Sequence, residues 1–188
     1  VMPWGPDPLC IYDTTFDSEL YHPSSRIQVS MAGRRELYTD LWIKLRLYLE
    51  QMNPPGGAHD GKVPDSKGTE RHIVRWDGAA WATFTSSFHD TVERFWDRAF
   101  WLAPPASYHD MDMEGQTPKV WCRFDLQLLS APGNEHVRLA AVRLGDDELV
   151  FGSSDETLDT RDLISEVRST GPVQWRYIAA LHEVGHLL

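Results

Sequence analysis

Residues 120–130 narrow the folds open to this chain more than any other stretch. Val120, Cys122, Phe124, Leu126 and Leu128 fall on one face, with Arg123, Asp125 and Gln127 on the other. Successive side chains of a strand point to opposite faces, so this period of two predicts a half-buried strand. Such a strand needs strand neighbours and a covering layer. The chain offers both. Pro132-Gly133-Asn134 turns it into a strand over 137–144. Gly145-Asp146-Asp147-Glu148 then turns it into a short strand over 149–153. Residues 71–76 read as an earlier strand closed by Asp77-Gly78, and 26–31 as a short one near the start.

Two helices are expected before the alternating strand. Over 34–52, Leu37, Leu41, Leu45, Tyr48, Leu49 and Met52 keep three-four spacing, and Asn53-Pro54-Pro55-Gly56-Gly57 stops the pattern. Over 86–102, Phe88, Val92, Phe95, Trp96, Ala99 and Phe100 form an apolar stripe. Ser86 or Ser87 caps it and Pro104-Pro105 ends it. Residues 53–69, rich in Gly, Pro, Asp, Ser and Lys, read as a linker. The expected organisation is an N-terminal extension over 1–65 (a Pro- and aromatic-rich segment, a short strand, an amphipathic helix and the linker) and a main domain over 66–188.

The chain of 188 residues is 41% hydrophobic, which suits a packed core. Its formal net charge of -10 argues against a phosphate backbone or an anionic membrane surface as partner. No apolar run is long enough to span a bilayer, and residue 1 does not open a signal peptide. Cys10 and Cys122 form no disulfide framework. Cys122, on the apolar face of its strand, is expected to be a buried thiol.

The chemistry concentrates at 174–188. His182-Glu183-Val184-Gly185-His186 has the form H-E-x-x-H. On a helix, histidines four apart share a face and can hold one metal ion, with the glutamate between them in reach of a water. A helical context is expected here, with Gly171 as N-cap, Pro172 at the first helical position and Gln174 at the third. Zinc suits two imidazoles, and catalytic zinc takes three protein ligands. The other acidic groupings are weaker. Residues 108–115 carry alternate carboxylates, but the twelfth position of a calcium loop would be Trp121. Asp155, Glu156, Asp159 and Asp162 are a second Ca2+ candidate, and a charged surface loop is the plainer reading.

The segment Ala179-Ala180-Leu181-His182-Glu183-Val184-Gly185-His186-Leu187-Leu188 resembles the active-site helix of the metzincin zinc peptidases, most of all the matrixin branch with H-E-x-G-H-x-x-G-x-x-H. The order of elements over 66–188 also resembles the upper half of a zincin domain: a twisted mixed sheet, a long packing helix and a C-terminal active-site helix. The resemblance implies one catalytic Zn2+ on His182 and His186, with Glu183 as general base. It implies a protein or peptide substrate and a secreted or extracellular setting. An extended substrate would pair with an edge strand, for which Leu149, Val150, Phe151 and Gly152 are the candidates. The third ligand of that family lies six residues past the second histidine, beyond Leu188, so the catalytic subdomain is expected to be incomplete at its C-terminus. The surroundings of Cys10 do not match the family's inhibitory thiol motif. The competing expectations are a non-catalytic interaction or assembly module on a zincin scaffold, and a metal hydrolase acting on something other than peptides.

Overall fold

The computed structural model describes residues 8–13, 17–21, 26–29, 35–102, 119–152 and 156–188. Among these it has two α-helices and twelve strands, with both antiparallel and parallel pairs in its sheet. The architecture is mixed α+β, as the sequence predicts. Two compact units divide the chain, 1–45 with 93–125 and 46–92 with 126–188. The expected boundary near Ser66 falls inside the second unit.

In the first unit, β1 (Pro8–Asp13) pairs antiparallel with β2 (Asp17–Tyr21). Both β2 and β3 (Arg26–Val29) pair antiparallel with β4 (Arg35–Met52). The short β7 (Trp101–Leu102) pairs antiparallel with β8 (Lys119–Leu128). Strand β8 buries Val120, Cys122, Phe124 and Leu126 in the expected alternation. Cys122 is a free buried thiol, and burial pushes its pKa up to about 11.

Strand β4 corrects the helix expected over 34–52. A spacing of four belongs to both periods, so Leu37, Leu41, Leu45 and Leu49 fit a strand as well as a helix. Ile43 and Leu47 discriminate. Ile43, Leu45, Leu47 and Leu49 are buried, while Lys44, Arg46, Tyr48 and Glu50 between them are not. Tyr38, Thr39, Trp42 and Ile43 add β-branched and aromatic residues, which pack well on a pleated surface.

The helix expected over 86–102 is α1, Gly78–Trp96. It begins eight residues earlier because Asp77 caps it: its Oδ1 accepts the Ala80 N–H at 2.8 Å. Phe84, Phe88 and Val92, four apart, are its buried residues. It ends earlier because Asp97 is engaged elsewhere. The Asp97 carboxylate accepts Arg123 Nε at 2.6 Å and the Phe124 N–H at 3.2 Å, and Arg98 turns at a φ of 62°. Trp101 and Leu102, expected in the helix, are strand.

In the second unit, the last third of β4 pairs in parallel with β9 (Val137–Val142), and β9 in parallel with β10 (Thr157–Asp159). Leu47, Leu139, Ala141, Val142 and Leu158 are fully buried there. Trp76 packs against Trp81 and Phe84 and donates its Nε1–H to the Ala141 carbonyl at 2.9 Å.

The linker expected over 53–69 holds a 3-10 turn (Pro55–Gly57) and β5 (Asp60–Pro64), which forms a hairpin with β6 (Glu70–Val74). Asp65 organises the hairpin loop. Its Oδ1 accepts the N–H groups of Lys67 and Thr69, each at 2.9 Å, and its Oδ2 accepts Arg71 Nε at 3.0 Å. Arg71 and the His72 N–H then hold Glu148 at 3.3 and 2.9 Å, and the Ser66 hydroxyl donates to the Gly152 carbonyl. The hairpin thereby tethers the irregular segment 145–152. That segment corrects the strand expected over 149–153: none forms over 149–152, where the Gly152 carbonyl accepts the Ser66 hydroxyl and the Phe151 N–H is donated to Asp159 rather than to a ladder. Residues 153–155 lie outside the described residues, as do 103–118 with the alternate carboxylates.

His72 and Asp147 meet at 2.7 Å in this tether. Gly145 lies so close that a Cβ there would sit 2.6 Å from His72 Nδ1 and 2.7 Å from Asp147 Oδ1. The Asp147 hydrogen bond raises the His72 pKa, and the same bond lowers that of Asp147. A raised folded-state pKa gives stability that is complete below the unfolded value of about 6.5 and is lost as pH rises through the folded value. The expected result is a fall in unfolding stability across that window on the alkaline side of 6.5. In Asp147→Asn that part of the pH profile should flatten. Denaturant midpoints measured against pH test this, and an unchanged profile in the variant would refute the pairing.

Candidate metal and catalytic site

The C-terminal stretch departs from expectation before reaching the motif. Gly171 and Pro172 do not start a helix. They form the loop of a hairpin between β11 (Glu166–Thr170) and β12 (Val173–Tyr177), with Thr170 opposite Val173. Gly171 takes a φ of 59°, as the first central residue of a two-residue hairpin loop can require. Gly-Pro serves a helix start and a hairpin turn equally. Here Val167, Thr170, Val173, Trp175 and Tyr177 favour strands on both sides.

The motif does lie on a helix, α2 (Ala179–Gly185). Ile178 precedes it in extended conformation without a side-chain cap, and the Ala180 N–H donates to the Asp162 carbonyl at 3.1 Å. Ala180, Leu181 and Val184 are its buried residues. At 100° per residue they occupy one side of the helix, which puts His182 and His186 on the opposite side and Glu183 on the flank. Both histidines are exposed and Glu183 is half-buried.

His182 Nε2 and His186 Nε2 converge to 3.1 Å, with the rings 4.5 Å apart and near perpendicular. Two nitrogens each about 2.0–2.1 Å from one tetrahedral ion would be roughly 3.4 Å apart. The pair therefore fits two ligands of a zinc ion. Among the described residues no cluster of three or more His, Cys, Asp and Glu is arranged to hold a metal.

Glu183 lines a cleft of about 160 Å³ together with Leu149, Val150, Ile164, Arg168 and Tyr177. Leu149 and Val150, expected near substrate, thus reach the cleft of Glu183 from an irregular segment. Phe151 does not: it is 2% exposed and packs with Ile73, Val142 and Leu144. Gly152 takes a φ of 85° beside Ser66.

Beneath the cleft, Asp159 and Asp162 are buried, where a charged surface loop was the expectation. Asp159 accepts the N–H groups of Phe151 and Arg161 at 2.9 and 2.6 Å, and Asp162 accepts the Asp159 N–H at 2.6 Å. Burial raises the Asp159 pKa against these hydrogen bonds. The turn joins the buried Phe151 to the first turn of α2. Asp155, from the same calcium candidate, lies outside the described residues.

Sequence reasoning missed two residues at this site. The Tyr177 ring lies 5.6 Å from the His182 ring, and the Arg168 guanidinium sits 3.4 Å over Tyr177. The alternation on either side of Gly171-Pro172 is the signal that could have found them. A larger cavity of about 670 Å³, lined by residues including Trp81, His89 and Tyr48, shares no lining residue with the Glu183 cleft. Comparison with known proteins finds no matching family model, no matching curated protein and no matching solved structure.

Proposed function

We propose that the chain belongs to a zinc-dependent endopeptidase of metzincin type, with His182 and His186 as zinc ligands and Glu183 as general base. The observation that carries this reading is the convergence of the two Nε2 atoms at 3.1 Å, with Glu183 beside them facing a cleft. Bound zinc would polarise the substrate carbonyl and acidify water. Glu183 takes the proton of the attacking water and passes it to the departing amine nitrogen. Leu149, Val150 and Tyr177 wall the cleft in which this transfer occurs. A glutamate in this place also favours an enzyme over a structural metal site, which has no use for a base.

The test is zinc uptake measured by competition with a chromogenic chelator, alongside cleavage of a disordered protein. About one zinc per chain, cleavage dependent on it, and loss of both in His182→Ala and His186→Ala are the expected results. Wild-type affinity in either variant would refute the assignment.

A further inference from the structure

Metal-binding histidines nearly always donate their second ring N–H to a carboxylate, a carbonyl or water, and that bond fixes the ring. His182 and His186 bond each other through Nε2, and among the described residues neither Nδ1 has a hydrogen-bond partner. The protein contact that the His182 ring makes beyond His186 is aromatic. The His182 ring lies 5.6 Å from the Tyr177 ring, tilted at 52°, and Tyr177 is capped by Arg168 at 3.4 Å. Arg168 is in turn held near Glu166 at 3.6 Å. In the hairpin register Glu166 faces Tyr177 and Arg168 faces Trp175, so Arg168 is the diagonal neighbour of Tyr177.

We infer that the Arg168–Tyr177 stack is the positioning device for the zinc ligand His182, holding its imidazole by an aromatic contact. The inference rests on the zinc reading for its consequence, though the stack itself can be tested without metal. Tyr177 is a positioning residue: it touches neither water nor substrate carbonyl in this role. Its ring limits rotation of the imidazole, so that Nε2 stays aimed at the Nε2 of His186. The hydroxyl plays no part, which separates this role from general acid chemistry by a tyrosine.

The experiment compares Tyr177→Phe, Tyr177→Leu and Arg168→Ala with the wild-type chain at one fixed pH. Zinc affinity is read by chelator competition, and the His182 ring-proton shifts are read by NMR on metal-free protein. Tyr177→Phe should bind zinc within about twofold of wild type and keep the shifts. Tyr177→Leu retains bulk but has no aromatic face. It should lose the ring-current shift and bind zinc roughly 10–100-fold more weakly, the range for losing an outer-shell partner. Arg168→Ala should weaken binding about threefold, as befits one exposed cation–π contact. Wild-type zinc affinity in Tyr177→Leu, with its helix content intact, overturns the inference alone. A loss in Tyr177→Phe equal to that in Tyr177→Leu also overturns it, because the hydroxyl would then be the active part. A wild-type chain that takes up no zinc overturns the zinc reading as well. Unaltered His182 shifts in Tyr177→Leu remove the stack itself.

Discussion

Glu183→Gln is expected to lower the rate of peptide cleavage by about 10²–10⁴-fold, the range for removing a general base, while zinc affinity stays within about twofold of wild type. The amide has nearly the shape of the carboxylate and can still accept a hydrogen bond from water, but it cannot take up the proton. Glu183 is on the flank of α2 and faces the cleft, whereas the converging nitrogens belong to His182 and His186. The substitution therefore separates chemistry from metal binding. The fall should appear in kcat with KM little changed, since no interaction with the resting substrate is removed. Cleavage by the variant at the wild-type rate would rule out Glu183 as the base.

The second large effect is on stability. Trp76 is 6% exposed and packs against Trp81 and Phe84, with its indole N–H on the Ala141 carbonyl. Trp76→Ala should cost about 3–5 kcal/mol through the cavity left in the core. Trp76→Phe keeps most of the packing but loses the hydrogen bond to the Ala141 carbonyl, and should cost roughly 0.5–1.5 kcal/mol. Urea midpoints at constant slope measure both. A cost below about 1 kcal/mol for Trp76→Ala would mean that this cluster does not anchor the second unit.

Strand β8 was legible in the sequence because its alternation is unbroken and no helical spacing competes with it. Strand β4 was not, because leucines four apart satisfy both periods and Tyr48 and Met52 happened to extend the helical one. The motif residues were legible as a group, since His182, Glu183 and His186 need only one turn of helix to come together. Their supports were not. Arg168 and Tyr177 meet only once Gly171-Pro172 folds as a hairpin. Asp159 and Asp162 read as a solvated acidic run until backbone N–H groups are seen to use their carboxylates. Leu149 and Val150 come near Glu183 because Glu148 is tied to Arg71 and His72, 77 and 76 residues away along the chain. No local pattern carries such a link.

Of the hairpin that leads into α2, only Tyr177 is even partly covered; every other residue of β11 and β12 is exposed. Little apolar burial resists its opening, so its amides should exchange with solvent long before those of β9. The route into the motif is then a locally soft segment joined to a helix whose inner side is locked into the core. Occupancy of the histidine pair would be recorded upstream, as slower exchange along β12.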